Sequence, residues 1–220
     1  MGRPALAIGG VALIGAGVAI AVGWWWPTTE EATYQVVQPV GGVRLDVSAG
    51  DVRVTARDVA TTSVHERYHY SGSRPGPAYR LEGGQLVLGG CGHDCTVDYE
   101  VIVPRNTKVG GTSRSGDVLL DGVAGADVST NSGDLRVLAP AGPVHADANS
   151  GDIDITLASP QDVKADANSG DVRVVAPGNG YRVVAHADSG DERIFIPTDP
   201  AGPHLLDLQA DSGDVEVRSA

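Results

Sequence analysis

The sequence VHADANSGDIDI, from Val144 to Ile155, returns as VKADANSGDVRV from Val163 to Val174. The Ser-Gly-Asp tripeptide at its centre recurs, and its glycines are 17, 18, 19, 20 and 23 residues apart. The copies are Ser115-Gly116-Asp117, Ser132-Gly133-Asp134, Ser150-Gly151-Asp152, Ser169-Gly170-Asp171, Ser189-Gly190-Asp191 and Ser212-Gly213-Asp214. A period of about 19 residues is typical of a chain that coils and stacks one unit on the next. The repeat therefore predicts an architecture, a β-solenoid, and by itself names no ligand or reaction.

Alternating apolar residues flank each Ser-Gly-Asp turn. After the aspartate, two apolar positions are separated by one outward residue, as in Val118 and Leu120. A second alternating run precedes the serine, as in Val163, Ala165 and Ala167. A period of two on both sides of a glycine turn predicts two strands per coil, and stacked coils then pair as parallel strands about 4.8 Å apart.

The turn residues are predicted to be structural. Glycine supplies a positive φ, and an aspartate carboxylate accepts hydrogen bonds from nearby N–H groups. The structural turn residues, with one earlier turn of the same kind, are Gly50, Asp51, Gly116, Asp117, Gly133, Asp134, Gly151, Asp152, Gly170, Asp171, Gly190, Asp191, Gly213 and Asp214. If the coils stack in chain order, the outward residues read Leu119, Arg136, Asp154, Arg173, Arg193 and Glu216. Glu192, at an inward position, is the one defect in the apolar pattern.

Composition agrees with an all-β fold and restricts the partners. Apolar residues make up 41% of the chain, with one Phe and one Met, while 30 Gly and 13 Pro favour turns over helices. The formal net charge of −12 argues against nucleic acid as a partner, because phosphate binding needs a basic face.

An uncharged stretch occupies residues 4–26 and ends in three tryptophans. At about 1.5 Å per residue, a helix of this length would exceed the roughly 30 Å hydrocarbon core of a bilayer. With Arg3 before it and acids after it, the stretch predicts a single-pass transmembrane helix in the cell membrane, with residues 1–3 cytoplasmic and the remainder extracytoplasmic. A cleaved signal peptide, with Ala21-Val22-Gly23 as a cleavage site, is the alternative. Either interpretation takes the folded part out of the cytoplasm.

Two cysteines, Cys91 and Cys95, lie in the segment Cys-Gly-His-Asp-Cys. Outside the cytoplasm, such a close pair is most simply a disulfide. A metal site would need two further ligands, and only His93 is adjacent, while a redox site more typically has two residues between its cysteines. No cofactor is predicted.

The rest of the chain divides by composition and pattern. Residues 27–33 are predicted to be a linker, 34–107 an irregular β-rich part of the solenoid domain, and 108–218 the regular repeat. In the irregular part, strands are expected at Tyr34–Val37, Val43–Val47, Val52–Val54, Thr62–Tyr70, Leu86–Leu88 and Thr96–Val103, with a loop at Ser71–Ala78.

The segment His65-Glu66-Arg67-Tyr68-His69 matches the H-E-x-x-H signature of zinc proteases. That mechanism requires a helix, which brings both histidines to one metal ion. The flanking sequence instead predicts a strand, in which the two histidines would share a face about 13 Å apart, too far for Zn–N bonds of about 2 Å. His145, His186 and His204 fall at different positions of the repeat, so we assign no catalytic or metal-binding residues and predict that the protein is not an enzyme.

The run Tyr99-Glu100-Val101-Ile102-Val103-Pro104, followed by repeated Ser-Gly-Asp-Val strands, resembles the DUF4097 family over roughly residues 35–218. This resemblance implies kinship with candidate adhesin-head proteins that have right-handed β-helical folds. The expected fold is thus an all-β, right-handed parallel β-solenoid with about 17–23 residues per coil, preceded by one transmembrane helix. The family offers no established catalytic residues to transfer.

The expected function is a membrane-anchored, extracytoplasmic β-solenoid with a non-catalytic binding, adhesin-like or structural role in the cell envelope. Its partners would be the lipid bilayer, through residues 4–26, and an envelope glycan or protein bound along a long flat face. A polysaccharide-acting β-helix enzyme and a calcium-stabilised surface repeat protein are alternatives. The enzyme would need clustered acids on one face, and calcium prefers six to eight oxygen ligands, whereas these aspartates line one side of the coil only.

Overall fold

The computed structural model describes residues 28–220, which contain strands and no helix. The strands are β1 (Thr28–Val36), β2 (Gly42–Val47), β3 (Val52–Arg57), β4 (Thr62–Tyr70), β5 (Tyr79–Glu82), β6 (Gln85–Leu88), β7 (Cys95–Pro104), β8 (Lys108–Ser115), β9 (Val118–Asp121), β10 (Ala126–Ser132), β11 (Leu135–Leu138), β12 (Val144–Ser150), β13 (Ile153–Thr156), β14 (Val163–Ser169), β15 (Val172–Ala176), β16 (Tyr181–Ser189), β17 (Glu192–Ile194), β18 (His204–Ser212) and β19 (Val215–Ser219). Over this range, nothing helical is long and apolar enough to cross a membrane. The transmembrane helix predicted for residues 4–26 lies outside the described residues.

The strands form two mixed sheets. Sheet 1 has ten strands, in the order β1-β4-β7-β3-β9-β11-β13-β15-β19-β17. Sheet 2 has nine, in the order β16-β18-β14-β12-β10-β8-β2-β6-β5. Each repeat contributes one strand to sheet 2, turns at Ser-Gly-Asp, and contributes the next strand to sheet 1. This unit of two strands and a turn is called a coil below.

Parallel pairing within the repeat is confirmed. Equivalent residues of neighbouring coils lie side by side, so that Ser150 pairs with Ser169 and Ile153 with Val172. The predicted inward pairs are buried in every coil except β16–β17, and the side chains of the two sheets form one continuous core. The period-two pattern thus identified the buried face correctly.

The first part of the chain departs from a parallel solenoid. β4 pairs antiparallel with both β1 and β7, and β5 pairs antiparallel with β6. The sequence predicts a linker at 27–33 and a strand from Tyr34, but the strand begins at Thr28. Residues 28–33 pair with β4 at the outer edge of sheet 1, where the three threonines of this segment suit a strand.

The coils do not stack in chain order, which corrects the predicted order of outward residues. The coil β18–β19 lies between β14–β15 and β16–β17, and β2–β3 lies between β6–β7 and β8–β9. Burial explains the exchange at the C-terminal end. β18–β19 offers fully apolar inward residues, whereas β16–β17 carries Glu192 inward and is therefore tolerated only where no further coil covers it.

Candidate functional site

A ladder of aspartates runs along the Ser-Gly-Asp edge of the stack. In each coil the backbone N–H of the turn aspartate donates to the carboxylate of the aspartate one rung before it, as when Asp171 N donates to Asp152 Oδ1 over 2.9 Å. The remaining steps join Asp51 to Asp98, Asp117 to Asp51, Asp134 to Asp117, Asp152 to Asp134, Asp214 to Asp171 and Asp191 to Asp214. The carboxylates of these seven acceptor aspartates thus couple neighbouring coils through one oxygen each.

Arginines engage the second carboxylate oxygens at one end of the ladder. Arg173 binds Asp152 over 2.9 Å and also Asp171, and Arg193 binds Asp214 over 2.8 Å. The backbone N–H of Asp171, together with Arg173, lowers the pKa of Asp152 below its ordinary value of 3.8, and the N–H of Asp191 with Arg193 lowers that of Asp214. Asp152 and Asp214 are therefore negatively charged in the folded protein near neutral pH.

Outward residues of sheet 1 form a second row beside the ladder. In spatial order it reads Glu100, Arg53, Leu119, Arg136, Asp154, Arg173, Glu216 and Arg193. From Arg136 onward the charges alternate because β19 lies between β15 and β17. Within this row Arg136 and Arg173 lie within ion-pair distance of Asp154, and an exposed pair of this kind contributes about 0.2–1 kcal/mol. Leu119 is the one apolar member of the row.

A groove of about 400 Å³ opens over Leu119. Arg53 and Arg136 flank this leucine one rung away on either side, roughly 10 Å apart. Arg136 binds Asp154 over 3.0 Å, but among residues 28–220 no carboxylate lies within ion-pair distance of Arg53. The groove floor thus offers one unpaired guanidinium and one half-buried leucine.

Charged residues of both signs form the groove walls. On the turn side these are the ladder residues Asp51, Asp98, Asp117 and Asp134, and at the far end His65 and Arg67 of β4. Arg67 is held by Glu31 over 2.8 Å. The arrangement can make hydrogen bonds and ion pairs to a charged, extended partner, because its groups repeat at the rung spacing.

The H-E-x-x-H segment lies in β4, as predicted, and the sheet separates its members. His65 and His69 point outward, where His65 bonds Thr33 over 2.9 Å and His69 lies 3.3 Å from Asp98. Glu66 points inward and is fully buried. A protease site needs all three side chains at one metal ion, and the strand excludes this arrangement.

Glu66 anchors the loop that follows β4. Its carboxylate accepts the N–H groups of Ala78, over 3.1 Å, and of Tyr79, over 3.0 Å, and the hydroxyl of Tyr68. Burial raises the pKa of Glu66 above its ordinary value of 4.5, although these hydrogen bonds oppose the shift. Glu66 thus holds the loop against the core through buried hydrogen bonds.

Cys91 and Cys95 form a disulfide, with Cα atoms 5.6 Å apart. It closes the connection between β6 and β7, where the coils of the regular repeat turn through Ser-Gly-Asp. The backbone O of Asp94 accepts the N–H of Ser71 over 3.0 Å, so the closed loop also holds the start of the loop after β4.

One group of side chains on sheet 2 has donor atoms close enough to hold a metal ion. His145, Asp147 and Asp166 each place one ligand atom within 4.8 Å of the others. Each already has a partner: His145 lies 3.1 Å from Asp127, Asp166 lies 3.3 Å from Lys164, and Asp147 accepts the hydroxyl of Ser129 over 3.3 Å. The sequence pattern overlooked this group because its members come from successive coils, where the equivalent positions Asp147 and Asp166 align.

The fold and these surfaces define a β-repeat protein, in which exposed faces of the sheets carry charged side chains at the spacing of the coils. The profile of the DUF4097 family, described as Toastrack, matches residues 40–218. The chain therefore belongs to the DUF4097 (Toastrack) family. No curated protein matches it in sequence.

Two solved structures share the fold. A candidate cell adhesion protein from Clostridium sporogenes ATCC 15579 superposes with a TM-score of 0.55 at 12% identity, covering 88% of this chain and 100% of that one. A candidate adhesin from Bacteroides fragilis NCTC 9343 gives 0.50 at 10% identity, covering 88% and 97%. At such identities the likeness establishes the fold alone.

Proposed function

We propose that this protein is a membrane-anchored, extracytoplasmic binding module without catalytic activity, and that it contacts an extended polymer of the cell envelope, glycan or protein, through the groove on sheet 1. The groove over Leu119 carries this proposal, because its charged groups recur at each rung and Arg53 has no partner among the described residues. The adhesin-like names of the two proteins that share the fold are consistent with such a role.

The proposed orientation follows from the first strand. β1 begins at Thr28, directly after the uncharged stretch at 4–26, and forms the edge of sheet 1. With that stretch in a bilayer, the coil β16–β17 would lie at the membrane-distal end of the stack. Reporter fusions after Val22 and within the repeat at Leu120 test whether the repeat lies outside the cytoplasm. A cytoplasmic signal from the second fusion would contradict the proposal.

Binding is tested with immobilised residues 28–220, which contain the whole described core. Envelope glycan and envelope protein fractions are applied separately to wild type, to Arg53→Ala and to Arg105→Ala. Arg105 is the matched control, since it is also exposed and unpaired within the described residues but lies outside the groove. We expect retention of one fraction to fall only in Arg53→Ala. Equal retention by both variants would place the binding surface elsewhere.

A further inference from the structure

The coil β16–β17 forms one end of the stack, with no coil beyond it among the described residues. Its inward side chains Val183, Ala185 and Ala187 remain partly exposed, whereas their counterparts one rung below, Leu206, Leu208 and Ala210, are buried. The same end displays Val184, 50% exposed, and Phe195, 62% exposed. The core is therefore open at this end of the molecule.

β16 also presents a strand edge that is bridged by Thr198 at Tyr181 and that no further strand covers from Val183 onward. The carbonyl of Tyr181 and the N–H of Ala187 both point away from β18, because the first accepts the N–H of Asp199 and the second donates to Glu192 Oε1. In a strand alternate residues point the same way, so Val183 and Ala185 direct their backbone groups to the same edge. Open strand edges with apolar residues promote association between chains.

Glu192 lies where it blocks such association. Its position is inward, equivalent to Val215 in the neighbouring coil, and the carboxylate folds across the open end to accept the N–H of Ala187 over 3.0 Å. His186, 3.5 Å from Glu192, adds to the polar cover. An inward-pointing charge is one of the recognised means of protecting a sheet edge, because covering it would bury the charge.

We propose that the β16–β17 end is a latent interface for a second copy of this chain, and that Glu192 keeps it closed. A second copy fits this edge because two β16 strands can pair antiparallel with Ala185 opposite Ala185. Val183 of each copy then lies opposite Ala187 of the other, and these residues direct their N–H and C=O groups across the interface. That register sets Arg182 opposite Asp188 at both ends of the paired segment, which matches opposite charges. It requires the N–H of Ala187, which Glu192 now occupies.

The test is Glu192→Val in residues 28–220, measured by light scattering after size exclusion over a concentration series. Valine is the apolar residue found at this position in neighbouring coils, so the variant should fold, which circular dichroism and its melting temperature check. We expect wild type to stay at monomer mass and Glu192→Val to approach twice that mass. A folded Glu192→Val that stays monomeric overturns the proposal, as does a dimeric wild type.

A second substitution locates the interface. Ala185→Pro in the Glu192→Val background removes only an N–H that faces the free edge, where proline is tolerated in sheets. We expect this double variant to return to monomer mass. If it remains dimeric, or if Glu192→Val forms assemblies larger than a dimer, the paired β16 edges are not the interface.

Discussion

Replacing Gly116 by alanine should destabilise the stack far more than the same change at Gly92. The two glycines have nearly equal φ angles, +109° at Gly116 and +107° at Gly92. Both variants therefore carry a comparable penalty for a side chain at positive φ, of order 1–3 kcal/mol. Their surroundings differ, because a Cβ at Gly116 would overlap the carbonyl of Gly50 on the next coil, whereas a Cβ at Gly92 meets nothing within 4 Å.

The overlap at Gly116 must push two coils apart. Three hydrogen bonds join these turns, from Gly50 N to Ser115 O at 3.1 Å, from Val52 N to Asp117 O at 2.8 Å and from Asp117 N to Asp51 Oδ1 at 3.0 Å. Each contributes a net 0.5–1.5 kcal/mol, so losing them adds about 3 kcal/mol for Gly116→Ala alone. For a domain of this size, this corresponds to a further fall in melting temperature of roughly 6–12 °C.

The comparison uses urea unfolding of residues 28–220, with the disulfide intact in both variants. The free energy of unfolding of Gly116→Ala should lie about 3 kcal/mol below that of Gly92→Ala. Equal losses would show that backbone strain alone sets the cost and that coils do not approach closely at the turn. A larger loss in Gly92→Ala would refute the reasoning outright.

Three further outcomes are expected. Cys91→Ser with Cys95→Ser should lower the free energy of unfolding by less than about 3 kcal/mol, because the closed loop is short; mass spectrometry finding two free thiols in wild type from an oxidising compartment would reject the bond. Glu66 has a raised pKa, so its stabilising contribution is present below pH 4.5 and is lost as the pH rises through the folded-state value. Glu66→Gln should therefore equal or exceed wild type in urea unfolding at pH 8, since its oxygen still accepts two N–H groups, and a clear loss there would contradict this account. Asp152 has a lowered pKa, so its contribution is present above pH 3.8 and is lost as the pH falls through the folded-state value; the melting temperature of Asp152→Asn should depend less on pH between 5 and 2, and parallel curves would count against the ladder.

The repeat could be predicted from sequence because each coil carries the same local information. Apolar residues at alternate positions and a glycine at every turn describe one rung, and stacking repeats that rung. Prediction succeeded even for β4, where the strand assignment for Thr62–Tyr70 ruled out a helical metal motif. The local sequence pattern was sufficient to predict the pairing wherever the two paired strands are one repeat period apart.

What could not be predicted depends on contacts between distant segments. β5 was missed, although Gly83 and Gly84 form a two-residue turn with positive φ at both positions, a recognisable hairpin signal. The groove was also hidden, since it needs Arg53 beside Leu119 across a gap of more than sixty residues. The exchanged positions of the coils β16–β17 and β18–β19 could have been inferred from Glu192. Its charge at an inward position indicates that β16–β17 lies outermost.

The exchanged order of coils limits the sequence in which the strands can assemble as the chain is synthesised. The last strands, β18 and β19, occupy an internal rung, so β16–β17 has no neighbour to pair with until the final residues are available. Folding of one repeat upon the last would therefore pause at β14–β15 until β18 and β19 have been synthesised. A chain ended before His204 would lose the rung between β14–β15 and β16–β17 rather than an end of the stack, and repeats added after Ala220 would start from this internal rung rather than from the outermost one.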